Sequence, residues 1–139
     1  MKAVVVDASV IMAAFFPEPF SKESLALLDS GAKLFAPDLI YAEVANVIWK
    51  RHSRGDIDDK DATDLFNDVM GLSLDITPSK QLADPALALA MQTGRTVYDC
   101  LYVALAVQTK TVMYSNDRRL INSLSAGPLK KFVAGLDQG

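Results

Sequence analysis

Four apolar residues in a row, Ala3 to Val6, three of them valine, stop abruptly at Asp7. A strand with one wet face alternates apolar and polar residues, whereas an unbroken β-branched run is covered on both faces, the signature of a parallel sheet packed between helices. The rest of the chain repeats the theme of short strand and helix. Ser9 stands where a helix N-cap would, ahead of an apolar stretch from Val10 to Phe16 that Pro17 and Pro19 end; a second helix is expected from Ser21 to Ser30, with Gly31 as its stop.

Lys33 to Ala36 reads as a second short strand, and Pro37-Asp38 opens a long helix to about Ser53 whose nearly all-round apolar centre implies burial. Six aspartates lie between Asp56 and Asp68, opposite a helical stripe of Ile57, Ala62, Leu65, Phe66 and Val69, and read as a solvated acidic face. Leu72, Leu74 and Ile76 alternate as in a strand. Asp84-Pro85 has the form of an N-cap and first helical position, with Gly94 closing that helix. A helix over Thr96–Thr109, a strand over Thr111–Ser115, a short helix over Leu120–Leu124 and a last strand over Lys131–Ala134 complete the chain. This alternation predicts an α/β fold: one domain over residues 1–139, with a central, mostly parallel sheet flanked by helices and joined by right-handed crossovers.

Composition narrows the function. No stretch free of Asp, Glu, Lys and Arg exceeds ten residues, about half of what a membrane helix needs, so a soluble, cytoplasmic protein is expected. The single cysteine, Cys100, excludes an internal disulfide framework and a cysteine-based zinc site, and reads as core. The net charge of −3 removes the footprint of a nonspecific nucleic-acid binder, yet leaves room for a nuclease, whose cation site must itself be acidic.

Four acids interrupt apolar segments where an α/β sheet builds its site. Asp7 and Asp117 each follow a strand, at the carboxyl edge where ligands of such sheets bind. Glu43 lies one turn into the long helix, and Asp99 lies near the start of another, between Tyr98 and Cys100. Helices running back against the strands begin at that same edge. Two like charges about 4 Å apart at an effective dielectric near 20 repel by about 4 kcal/mol, so clustered carboxylates share protons or bind cations. Oxygen ligands without histidine or cysteine point to Mg²⁺ or Mn²⁺, and phosphoryl transfer or phosphodiester hydrolysis is the chemistry such a site serves best. Each acid has a plainer reading: Asp7, Asp99 and Asp117 as helix caps, Glu43 in a buried ion pair with Lys50 or an arginine. Ser9 and Asn116 are secondary candidates at the same edge, whether as caps or as donors to the site. Asn46 and Lys50 share the stripe of Glu43, and Lys50, Arg118 and Arg119 are candidates for an RNA backbone. His52 reads as a solvated residue near a helix end.

With these residues assembled, the chain resembles the PIN-domain ribonucleases, most closely the VapC-type toxins of type II toxin–antitoxin systems. The resemblance is carried by Val5-Val6-Asp7-Ala8-Ser9, by the helix of Glu43, by Tyr98-Asp99-Cys100-Leu101-Tyr102-Val103-Ala104-Leu105-Ala106, the most specific segment, and by Ser115-Asn116-Asp117-Arg118-Arg119-Leu120. Order and spacing agree over nearly the whole chain; Ser115 stands where the family often has threonine. The resemblance implies a PIN-like domain and a Mg²⁺- or Mn²⁺-dependent endoribonuclease. Asp7 and Asp99 would be its most direct metal ligands, and Glu43 and Asp117 would complete an acidic quartet. It further implies an RNA substrate, a homodimer and a small inhibitory antitoxin whose tail fills the groove. The alternative from another class is a catalytically silent PIN-fold module that binds RNA or protein.

Overall fold

The computed structural model describes residues 2–136. In chain order the elements are β1 (Ala3–Val6), α1 (Ala8–Phe15), α2 (Ser21–Leu28), β2 (Lys33–Pro37), α3 (Leu39–Ser53), α4 (Asp59–Met70), β3 (Leu74–Thr77), α5 (Ser79–Thr93), α6 (Val97–Thr109), β4 (Met113–Tyr114), α7 (Arg118–Leu124), a 3₁₀ turn (Lys130–Phe132) and β5 (Val133–Ala134). The strands form one sheet in the order β3-β2-β1-β4-β5, and every pairing in it is parallel. The α/β expectation holds.

The valine run explains the centre. β1 lies between β2 and β4, and Val4, Val5 and Val6 are fully buried because helices cover both faces of the sheet. From β1 the chain builds outward to β2 and β3, then crosses to β4 on the other side. The strand order therefore switches between β1 and β4, the point where open α/β sheets leave a crevice at their carboxyl edge. Asp7 directly follows β1 and Asp117 closely follows β4. α3 starts straight after β2, hence at that edge. α6 packs on β1, β2 and β4 and ends three residues before β4 begins, so it runs antiparallel to the strands and also starts there.

Three local expectations are corrected. The α1 cap is Asp7, whose carboxylate accepts the Val10 N–H at 3.2 Å, and Ser9 is already helical. α5 begins at Ser79, with Pro85 inside it at the cost of one helical hydrogen bond. The start is set from another element: the Asp38 carboxylate accepts the Ser79 N–H at 3.1 Å and the Ser79 hydroxyl, so a residue 41 positions away does the capping expected of Asp84. α3, finally, buries only the row Ile40, Val44 and Ile48, while Trp49 is 60% exposed. Apolar composition names candidates for burial without saying which side of a helix faces the sheet.

Asp38→Ala removes this remote cap and is expected to cost about 1 kcal/mol, a fall in melting temperature of about 4 °C for a chain of this size. Thermal unfolding checks it against Asp75→Ala, which breaks only an exposed ion pair with Lys33 and is expected to shift melting by no more than about 2 °C.

Candidate active site

The carboxyl edge between β1 and β4 is held by a buried carboxylate. Asp7 is only 8% exposed. One of its oxygens accepts the Ser9 hydroxyl at 2.5 Å and the Val10 N–H, and the other accepts the Ser115 hydroxyl. Ser9 Oγ in turn accepts the Asn116 N–H at 2.8 Å, and Ser115 Oγ accepts the Asp117 N–H at 3.0 Å. The loop after β4 is thus fastened, bond by bond, to the loop after β1. The Asn116 amide donates to Ser24 Oγ at 3.1 Å, extending the network into α2, and leaves its buried Oδ1 without a hydrogen-bond partner.

The other three acids have partners of their own. The Tyr102 hydroxyl donates to Glu43 Oε1, so Glu43 is held by a neutral hydroxyl, and the alternative ion pair with Lys50 or an arginine is absent among the described residues. Arg95 Nη2 lies 2.9 Å from Asp99 Oδ2, with Arg95 Nε buried and unpartnered. The Asp117 carboxylate accepts the Arg119 and Leu120 N–H groups at 3.1 and 3.2 Å, so its capping role is real. The cap of α6 is Thr96, which accepts the Asp99 N–H, and Asp99 is freed from that task.

Electrostatics ties the four together. Burial raises the Asp7 carboxyl above its ordinary pKa, against the hydrogen bonds from Ser115, Ser9 and Val10, and the charge of Asp117 raises it further. Glu43 is raised chiefly by burial; the Tyr102 hydrogen bond lowers it, and the charges of Asp7 and Asp99 raise it. Burial likewise pushes up the Tyr102 hydroxyl, with Glu43, Asp7 and Asp99 contributing, so it stays a donor.

Among the described residues, no three His, Cys, Asp or Glu side chains are gathered tightly enough to enclose an ion. Mg²⁺ does not need such a cage: it keeps several waters and is typically held through one or two carboxylates. An all-oxygen donor set, mutual repulsion and a buried acid lacking a compensating cation fit a hard divalent ion at Asp7 and its neighbours.

Of the remaining candidates, Lys50 and Arg119 are exposed, Arg118 is half-buried, and Asn46 is exposed on α3. His52 pairs with Asp59 at 2.5 Å near the end of α3. Cys100 is 2% exposed and its thiol pKa is raised by burial, as expected of a core residue. Ser115, Tyr102 and Arg95 hold three of the acids, and sequence reasoning does not single them out as site residues. Arg95 stands four positions before Asp99, a helical ion-pair spacing that could have found it; Tyr102 and Glu43 are 59 positions apart, with no local signal.

A PIN domain family model matches residues 4–123. Ribonuclease VapC3 of Pyrobaculum aerophilum is 33% identical over 125 residues, which span 88% of this chain and 95% of that protein. Two solved assemblies share the fold: a toxin–antitoxin complex from Klebsiella pneumoniae (TM-score 0.65, 14% identity, covering 96% of this chain and 98% of that one) and VapBC2 from Rickettsia felis bound to a promoter DNA fragment (TM-score 0.64, 15% identity, with the same coverage).

Because its raised pKa makes ionised Asp7 a liability in the metal-free fold, stability in chelator should fall as pH rises from the unfolded value, about 3.9, through the raised folded one. Asp7→Asn, which keeps the shape and removes the charge, is expected to melt about 3 °C higher than wild type in EDTA at neutral pH. Differential scanning calorimetry checks both; a lower melting temperature in EDTA would mean that the carboxylate is chiefly a cap.

Proposed function

The chain belongs to the PIN-domain family, and on that premise we propose that it is a Mg²⁺- or Mn²⁺-dependent endoribonuclease of the VapC toxin type. What supports this reading is the placing of Asp7, Glu43, Asp99 and Asp117 toward one sheet edge, near enough that the charges of Asp7 and Asp99 raise the pKa of Glu43 and that of Asp117 raises the pKa of Asp7. Asp7 and Asp99 would be the most direct holders of the ion, with Glu43 and Asp117 beside them. Bound there, the ion would lower the pKa of a water and neutralise charge building on the phosphate oxygens.

The protein's own side chains divide the remaining work. Ser9 and Ser115 fix both oxygens of Asp7, so the carboxylate is oriented before any ion arrives, as ligands generally are by their outer partners. Tyr102 does the same for one oxygen of Glu43 and leaves the other without a bond from this hydroxyl. Arg95 neutralises Asp99 in the metal-free protein, and a cation entering there would displace a guanidinium that is then positioned near substrate phosphate. The antitoxin complexes among the structural neighbours support a small protein inhibitor as a partner.

A silent RNA- or protein-binding module is the rival, favoured by the partners that all four acids already have. Asp99→Asn separates the two. If Asp99 holds the ion, the substitution lowers Mn²⁺-dependent cleavage of labelled RNA by about 100-fold or more and weakens Mn²⁺ binding measured by electron paramagnetic resonance, with helical content unchanged. A wild-type rate in the variant would contradict the assignment.

A further inference from the structure

The four acids explain how a phosphodiester would be cut, but not how a polyanion is held by a chain of net charge −3. A groove of about 330 Å³ lies between α1 and α3, lined by Ala8, Ser9 and Met12 on one side, by Val47, Lys50, Arg51 and Arg54 on the other, and by Glu18. One of its lining residues, Ser9, bonds Asp7 through its hydroxyl, so the groove adjoins the candidate active site. Three cations and a single carboxylate line it.

The cations are not alike. Arg51 is committed: its guanidinium lies 3.0 Å from Glu18 and stacks 3.9 Å from the Phe16 ring, bracing α3 against the segment after α1. Lys50 and Arg54 are exposed, and among the described residues neither side chain has an ionic partner. Lys50 in the last turn of α3 and Arg54, its C-cap, are four positions apart and share a face, and Lys50 is seven after Glu43. At 1.5 Å per residue, Lys50 and Arg54 lie about 10 and 16 Å along the helix direction from Glu43, within the length of a short oligonucleotide. Basic residues at a helix C-terminus also offset its dipole, but that alone does not require them to line a groove that includes Ser9.

We propose that this groove is the subsite for the sugar–phosphate backbone of single-stranded RNA next to the cleaved bond. Lys50 and Arg54 meet successive phosphates, Arg51 acts as a positioning residue that keeps the groove open, and Glu18 limits how strongly the groove binds. The proposal rests on the endoribonuclease reading for what happens at the acids, but the binding it describes is measurable without cleavage.

Fluorescence anisotropy of an end-labelled single-stranded RNA in EDTA tests it on the full chain. The double variant Lys50→Gln/Arg54→Gln is expected to bind at least tenfold more weakly, and the slope of log affinity on log salt to become shallower by about 1.4, or about 0.7 for each cation removed. Lys131→Gln, next to β5 at the opposite edge of the sheet, is expected to stay within twofold of wild type. In metal, the KM of the double variant for the labelled RNA is expected to rise by more than its kcat falls. Unchanged RNA affinity in the double variant, or an equal loss in Lys131→Gln, overturns the subsite. Absence of cleavage by wild type, with the affinity differences intact, would overturn the nuclease reading and leave the groove standing.

Discussion

A buried carboxylate at the centre of the sheet organises this molecule. Asp7 sits at the end of a strand that is covered on both faces, where an ionised group is costly unless its lone pairs are met. The two serine hydroxyls and one N–H that meet them come from α1 and from the residue after β4, so satisfying one side chain also fixes the approach of the two loops that flank the switch in strand order. The site and the topology share these hydrogen bonds. Removing the serines would leave a buried charge under-satisfied, and would loosen the hinge of the crevice with it.

Around that anchor, each element brings one acid and, usually, a neighbour to restrain it. The long apolar α6 presents Asp99 in its first turn and Tyr102 one turn later, so a single helix supplies both one acid and the hydroxyl that orients Glu43 of α3. Thr96 carries out the capping that Asp99 would otherwise perform. Carboxylates that are pre-oriented yet electrostatically uncomfortable suit a cation, because its arrival relieves repulsion without reorganising the fold.

The signals that can be read in the sequence are those in which local chemistry and global placement coincide. The valine run before Asp7, the strand before Asp117 and the helix start before Asp99 each place an acid at the carboxyl edge once a parallel sheet is inferred. Less legible are long-range bonds: Asp38 capping a helix 41 positions away, and Tyr102 reaching Glu43 across 59. The side of α3 that faces solvent is hidden too. Its apolar residues suggest burial all round, whereas Trp49 and Ala45 line a groove against α4. The α1–α3 groove stays out of sight because Glu18 and Arg51, 33 positions apart, meet only after folding, although the place of Lys50 on the stripe of Glu43 points toward it.

If an ion held by the acids lets water cut RNA, the attacking oxygen must appear in the product. Cleaving a defined RNA with Mn²⁺ in ¹⁸O-labelled water and analysing the new ends by mass spectrometry, with EDTA as control, follows that oxygen. Attack by water predicts cleavage that EDTA abolishes, linear phosphate ends carrying one ¹⁸O atom and no 2′,3′-cyclic phosphate; cleavage that persists in EDTA and leaves cyclic ends would contradict it.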